Sequence, residues 1–264
     1  MQLRISLGLP AILLPLLLWQ PAAAEPRLRW CLDHFPGMHE FLPGQKLPSG
    51  PSVQMMQQLA KRSGFVLEIS PQTPSSRCIR ELANGSSDLM VNLLYSDKMA
   101  QQVHLLRFAG RWPDRIYLAA QDQRQLTQVA ALNQMTLTTV RNYGVHAKMQ
   151  AVLTALPKNQ WQPAATVQLA LQMVVKGRVD AAILPPSQVK RILEQQPELA
   201  SQIREVQFPL SILEPQDVFV GFSRHSKYPE LKQVLEQQLS AMQQDGSLAL
   251  LLGDKMIFAP APVQ

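Results

Sequence analysis

The chain has 264 residues, 46% of them hydrophobic, and a formal net charge of +6. That length is large for one compact core and comfortable for two lobes of about 100 residues each. The basic residues are scattered, with no Lys/Arg-rich run and no aromatic-interleaved stripe. This argues against nucleic-acid binding and leaves a mild preference for anionic ligands.

The first residues read as an address. Arg4 supplies a positive n-region, Leu7 to Leu18 is an apolar run interrupted by Pro10 and Pro15, and Ala22-Ala23-Ala24 offers small residues to a signal peptidase. Residues 1–24 are predicted to be a cleaved signal peptide, since an apolar run of about a dozen residues falls short of the roughly 20 that span a bilayer. Removing Arg4 leaves +5 for the mature chain. Cys31 follows the charged Glu25, Arg27 and Arg29, so a lipid-modified N-terminus is not expected. In an oxidising compartment two cysteines favour one intramolecular disulfide, Cys31–Cys78, over a metal site or a catalytic thiol; the alternative is two buried free thiols.

Leu28 to Leu32 reads as a first strand that runs into Asp33-His34-Phe35-Pro36-Gly37, and residues 37–51 form a loop. Helical spacing follows at Val53, Met56, Leu59 and Ala60, stopped by Gly64, and Phe65 to Ile69 is a second strand. A short helix begins near Ser76, with Ser75 or Ser76 able to cap its free N–H groups, and ends at Asn84-Gly85; Asp88 to Asn92 is a buried strand. Alternating strands and helices imply a parallel sheet with right-handed crossovers. A short helix over Lys98 to Val103 leads to an extended stretch over Val103 to Phe108 and then to Trp112-Pro113.

The pattern then restarts. Ile116 to Ala120 reads as a strand leaving the first lobe, followed by a short helix at Val129 to Leu132, a strand at Met135 to Val140, and the loop Arg141-Asn142-Tyr143. A helix from about Gly144 to Leu156 follows, then a helix over Val167 to Val175 capped by Thr166 and stopped at Lys176-Gly177, a strand from Arg178 to Leu184, and a helix from Ser187 to Gln195. The stretch through Pro209 and Pro215 is read as irregular, and Asp217 to Phe222 as the return to the first lobe. Tyr228 to Gln244 is a long amphipathic helix, broken at Asp245-Gly246 before a last short helix. Two crossings, near 113–118 and 214–219, would form a double hinge. The expected division is 25–115 with 217–264 for lobe 1 and 116–216 for lobe 2.

Taken together, the Phe35-Pro36 corner, LAKRSG, RCIRELANGSSDLM, SDKMAQQV, GRVDAAI and LEQQLSAMQQDG resemble, in order and spacing, type II periplasmic solute-binding proteins of the family 3 kind, which include amino-acid receptors of ABC importers. The pairing of WCLD with SRC-x-x-x-L is similar to a two-cysteine bacterial subgroup of it. The resemblance implies a two-lobe α/β fold of periplasmic-binding-protein type II, each lobe a mostly parallel sheet flanked by helices, with two hinge crossings. It also implies a periplasmic monomer that binds a small-molecule ligand and works with an inner-membrane permease or a sensor, with no cofactor. Two ligand-reading positions depart from the family pattern. Met99 stands where the amino-acid receptors carry an arginine for the α-carboxylate, and Pro185 where they carry an aspartate for the α-ammonium.

The strand ends supply the candidate ligand-binding residues: Phe35 and Trp112 as apolar walls, Asn92 and Tyr95 after the third strand, Arg141, Asn142 and Tyr143 at a helix N-terminus, and Arg77 as a further cation. Catalysis is not expected. The five histidines show no metal-ligand spacing, no G-x-S-x-G elbow occurs, and Asp33-His34, the one adjacent acid–base pair, would point to opposite faces of a strand. The leading reading is therefore a receptor that closes over an amino-acid-like solute or another small anion for an ABC-type importer, and the alternative is a sensory or accessory protein of the same fold.

Overall fold

A computed structural model describes residues 24–141, 143–145, 147–206 and 215–258. The expected signal segment up to Ala23, Asn142, most of the stretch read as irregular (207–214) and the tail after Phe258 lie outside the described residues. Two sheets form the frame. The first has the order β2-β1-β3-β9-β4, built from β1 (Arg27–Trp30), β2 (Val66–Ile69), β3 (Leu89–Leu94), β4 (Val103–Arg111) and β9 (Gln216–Ser223). The second has the order β6-β7-β5-β8, from β5 (Arg115–Ala119), β6 (Leu137–Thr138), β7 (Ala181–Leu184) and β8 (Ile203–Val206).

Both sheets are mixed, which corrects the expectation of mostly parallel ones. β1 runs parallel to β2 and β3, because helices α1 (Pro51–Ser63) and α2 (Ser75–Asn84) carry the chain back between them. β9 enters from the other lobe and lies antiparallel to both β3 and β4. In the second sheet β6 and β7 are parallel, whereas β5 is antiparallel to β7 and β8.

Local signals explain most helix ends. α1 starts with Pro51 in its first turn and stops at Gly64, whose φ of 69° is the left-handed conformation a glycine adopts without cost. It buries Val53, Met55, Met56 and Leu59 against α8 (Leu231–Gln244) and α9 (Ser247–Leu252), in a core with Trp30, Phe108 and Phe222. The other face of the first sheet carries the disulfide Cys31–Cys78, with Cα atoms 5.4 Å apart, packed with Leu82, Met90, Leu93 and Val103. In the second sheet β5 is buried on both faces, Ile116 and Leu118 toward Leu137 and Leu153, Tyr117 toward Leu171 and Leu184.

Several boundaries differ from the sequence reading. The cap of α2 is Pro74 and neither serine caps it, because the Ser75 hydroxyl donates to Asp33 instead. Val129 to Gln134 is a 3-10 turn, and the strand expected over Met135 to Val140 pairs only at Leu137–Thr138. Helix α4 covers Ala147–Ala155. α5 (Val167–Val175) starts as expected, with the Thr166 hydroxyl accepting from Leu169 N–H at 3.1 Å. The strand before α6 (Pro186–Gln195) begins only at Ala181, and α7 (Pro197–Ala200) and β8 stand in a stretch with no clear period. α3 (Asp97–Gln102) is capped by the Ser96 hydroxyl.

Arg111, the last residue of β4, ties the hinge region together. Its guanidinium donates to Gln216 Oε1 at 3.1 Å and Asp114 Oδ2 at 3.1 Å, and reaches across to Gly144 O at 2.9 Å.

Candidate functional site

The floor of the cleft is built where β1 ends. Asp33 stands two residues past the disulfide, and α2, held by that bond, brings Ser75 to donate to Asp33 Oδ2. His39, 2% exposed, places Nε2 3.1 Å from Asp33 Oδ1 and packs its ring against the edge of Trp30. Burial pushes the Asp33 carboxyl up, but hydrogen bonds from His39 and Ser75 and the charge of His39 outweigh it, so the carboxyl stays below its ordinary range. The neighbouring His34 takes no part in this pair: its Nδ1 accepts from Phe41 N–H at 3.2 Å.

Phe35 turns back through a bridge to His39 and presents its ring to the second lobe. There Tyr143 stacks on it, centroids 5.2 Å apart and planes 18° from parallel, and the Tyr143 hydroxyl donates to Gln188 Oε1 at 3.2 Å. Burial raises the phenol above its usual range, the Gln188 contact opposes this and the Asp33 charge adds to it, so the hydroxyl is kept protonated. Beside the stack, Arg191 of α6 donates to Glu40 Oε1 at 3.0 Å, and Glu40 also accepts from Gly37 N–H. The backbone contact from Gly37, against the cost of burial and with help from Arg191, holds the Glu40 carboxyl below its usual range.

The stack divides the space between the lobes. An inner chamber of about 400 Å³ lies over the ends of β3 and β4, walled by apolar side chains such as Met90, Leu93, Met99 and Met256 together with Asn92, Tyr95 and Arg111. An outer chamber of about 730 Å³ carries more polar side chains, His34, Arg141, Gln168, Gln188 and Arg191 among them. Asp33, Ser75 and Tyr143 line both. Asn92 has φ 60°, in the left-handed region, where β3 slips its register against β9 between Met90 and Leu93.

The structure brings Phe35, Asn92, Tyr95, Arg141 and Tyr143 to these two chambers. Tyr95 is 60% exposed and its hydroxyl donates to Asp97 Oδ1 at 3.0 Å. Trp112 stands at the hinge, its indole donating to Asp254 O at 3.0 Å, and lines a neighbouring cavity of about 260 Å³ with Pro185 and Lys190. Arg77 lies on the exposed side of α2, paired with Glu81 at 2.9 Å, and lines neither chamber. Asn142 is outside the described residues. Sequence reading missed Ser75, His39, Gln188 and Arg191 as cleft residues. Only His39 carried a signal, as a histidine close after the end of β1, and nothing local pointed to the lobe-spanning Arg191.

Two mixed sheets joined at a hinge, with a cleft lined from both, define a bilobal binding-protein fold. The chain belongs to the bacterial extracellular solute-binding proteins, family 3, which it matches over residues 30–253. Among solved structures, a histidine kinase sensor domain with similarity to periplasmic binding proteins superposes with a TM-score of 0.70 at 15% identity, covering 89% of this chain and 98% of that one. An amino acid ABC transporter substrate-binding protein, AbpA from Streptococcus pneumoniae bound to L-arginine, gives 0.67 at 17%, covering 87% and 94%. The periplasmic VFT2 domain of BvgS from Bordetella pertussis gives 0.65 at 20%, covering 87% and 92%. No curated protein sequence matches the chain. The disulfide Cys31–Cys78 is formed, and among the described residues no helix is long and apolar enough to cross a membrane.

Proposed function

We propose that the protein is an extracytoplasmic receptor, exported by the signal segment 1–24 and acting as a monomer in the periplasm. Lobe 1 (25–115 and 217–264) closes on lobe 2 (116–216) over a small solute. The observation that carries this reading is the set of lobe-to-lobe contacts around the chambers: the Phe35–Tyr143 stack, the Arg191–Glu40 ion pair at 3.0 Å and the Arg111 bond to Gly144 O at 2.9 Å. Each depends on the closed arrangement, so a ligand that completes the cleft shifts the population toward it. Phe35, Tyr143, Asn92 and Arg141 are the residues we assign to ligand contact, with Trp112 and Tyr95 at the margin and Asn142 beside Arg141. Arg77 has no part in it.

Delivery of the solute to an ABC-type permease is the first reading of the output. The second is presentation to a membrane sensor, which the replacement of both amino-acid clamp positions by Met99 and Pro185 supports. Thermal unfolding of the oxidised mature protein against amino acids, small carboxylates, polyamines, peptides and sugars tests the receptor. A compound at a hundred times its Kd adds about 2.7 kcal/mol of stability. A panel without any shift, extended to small neutral compounds, would overturn the receptor reading, and capture of a permease or of a sensor kinase from solubilised membranes separates the two outputs.

A further inference from the structure

The inner chamber says which solute chemistry the cleft suits, an inference that rests on the receptor reading above. Its walls are apolar over most of their area, with Met90, Leu93, Met99 and Met256 among them. The two charged side chains that face it are already committed. Asp33 accepts from Ser75 and pairs with His39, while Arg111 is ion-paired with Asp114 through Nη2, which also donates to the Gly144 carbonyl, and gives its Nε to Gln216. A free ammonium or carboxylate placed there would give up its hydration without gaining an uncommitted counter-charge.

One polar group in the wall is not committed. Asn92 Oδ1 and Nδ2 are both buried, and neither has a hydrogen-bond partner. Buried amides are nearly always paired, so a side chain with an unpaired donor and an unpaired acceptor needs an explanation. The backbone adds a second observation: Asn92 is the only non-glycine residue of the described chain with positive φ, at 60°, and it sits at the register slip of β3. Strain of this kind collects at ligand-reading positions. In the closed arrangement the amide is covered, so it meets a ligand that enters while the lobes are apart and stays when they close.

We propose that the inner chamber receives a neutral, largely apolar ligand, or the neutral apolar portion of one, that carries a single amide-like edge, and that Asn92 reads this edge through a paired donor and acceptor. The chamber of about 400 Å³ holds a compact ring or a short branched chain. A lactam has the required edge, with an N–H and a C=O on the same side.

The test uses ε-caprolactam as probe, with N-methylcaprolactam lacking the donor, cyclohexanone lacking the nitrogen, and hexylamine and 6-aminohexanoate as charged relatives. Affinities are measured by calorimetry on the mature oxidised protein. The expected result is that caprolactam binds about tenfold more tightly than its N-methyl relative and than either charged compound. Asn92→Gly keeps the positive φ without strain and removes the amide, so it should bring the lactam to N-methyl-lactam ratio down to about one while the protein still folds. Asn92→Asp, which keeps the acceptor for the lactam N–H, removes the donor to its carbonyl and is also tolerant of this backbone, is the second variant and should bind both lactams more weakly while keeping the preference over the N-methyl compound.

Preferential binding of hexylamine would make Asp33 the reader and overturn the proposal, as would a lactam preference that survives Asn92→Gly. If an amino acid or carboxylate stabilises the protein and the lactam series shows no discrimination, this proposal falls and the receptor stands. If every compound of both panels fails to bind, the receptor reading falls with it.

Discussion

Breaking the disulfide is the perturbation whose size follows most directly from the structure. Cys31 and Cys78 are separated by 47 residues and both are fully buried. In the chain-entropy account a loop of that length stabilises the folded state by about 4 kcal/mol. For a chain of this size, 1 kcal/mol corresponds to roughly 2–4 °C in Tm, so the loss should appear as a fall of about 8–16 °C. Cys31→Ala with Cys78→Ala removes the bond and some packing against Leu82 and Val103, whereas the reduced native chain keeps both sulfurs in place. Comparing melting curves of the oxidised, reduced and doubly substituted protein separates the two costs. The bond also holds the start of α2 beside the end of β1, so ligand affinity should fall along with Tm, because Ser75 is no longer fixed against Asp33. A reduced protein that melts within about 2 °C of the oxidised one would refute the reasoning, since it would mean that packing alone keeps the denatured chain's loop closed.

Asp33→Asn should destabilise the protein at pH 7. The folded carboxyl is held below its unfolded value, so its contribution is present above the unfolded pKa and is lost as pH falls through the folded one. The gap between native and variant melting curves should therefore close below about pH 4. Tyr143→Ala removes an aromatic pair worth about 0.5–1.5 kcal/mol, which favours the separated lobes by roughly two- to tenfold and should enlarge the radius of gyration seen by solution scattering without ligand. An unchanged radius would mean that the stack does not hold the lobes. Gly50→Ala should cost about 3 kcal/mol in a denaturant titration, because Gly50 has φ 125° and a Cβ there would lie 2.5 Å from the carbonyl oxygen of Met38. Loss of less than 1 kcal/mol would show that the 38–50 turn can shift.

Much of the local architecture was legible in the residues. Gly64 and Gly85 end helices because only a residue free to turn left-handed fits there, Thr166 caps α5 through its own hydroxyl, and both act within a few residues of chain. The two cysteines and the apolar leader pointed together to a disulfide in an exported protein, and the bond is formed. The order of short motifs identified the family, although no single one of them is diagnostic.

What the sequence could not decide were partnerships between distant segments. Asp33 pairs with His39 and Ser75 and leaves adjacent His34 to Phe41, since the chain turns at Phe35 and the helix carrying Ser75 is docked from 42 residues away. β9 reads as a strand from its Val, Phe and Gly alone, but its antiparallel place between β3 and β4 is set by where the second lobe returns the chain. Arg77 and Arg191 are both helical arginines. One faces solvent beside Glu81 and the other reaches Glu40 across the cleft, 151 residues away in sequence. Periodicity and capping are local free energies and can be read from a window of residues, whereas the cleft exists only once two separately built sheets are brought face to face. The sequence by itself therefore determined most of the elements, the favoured cross-link and the family. The tertiary structure decided which side chains meet between the lobes, and so which chemistry the site presents.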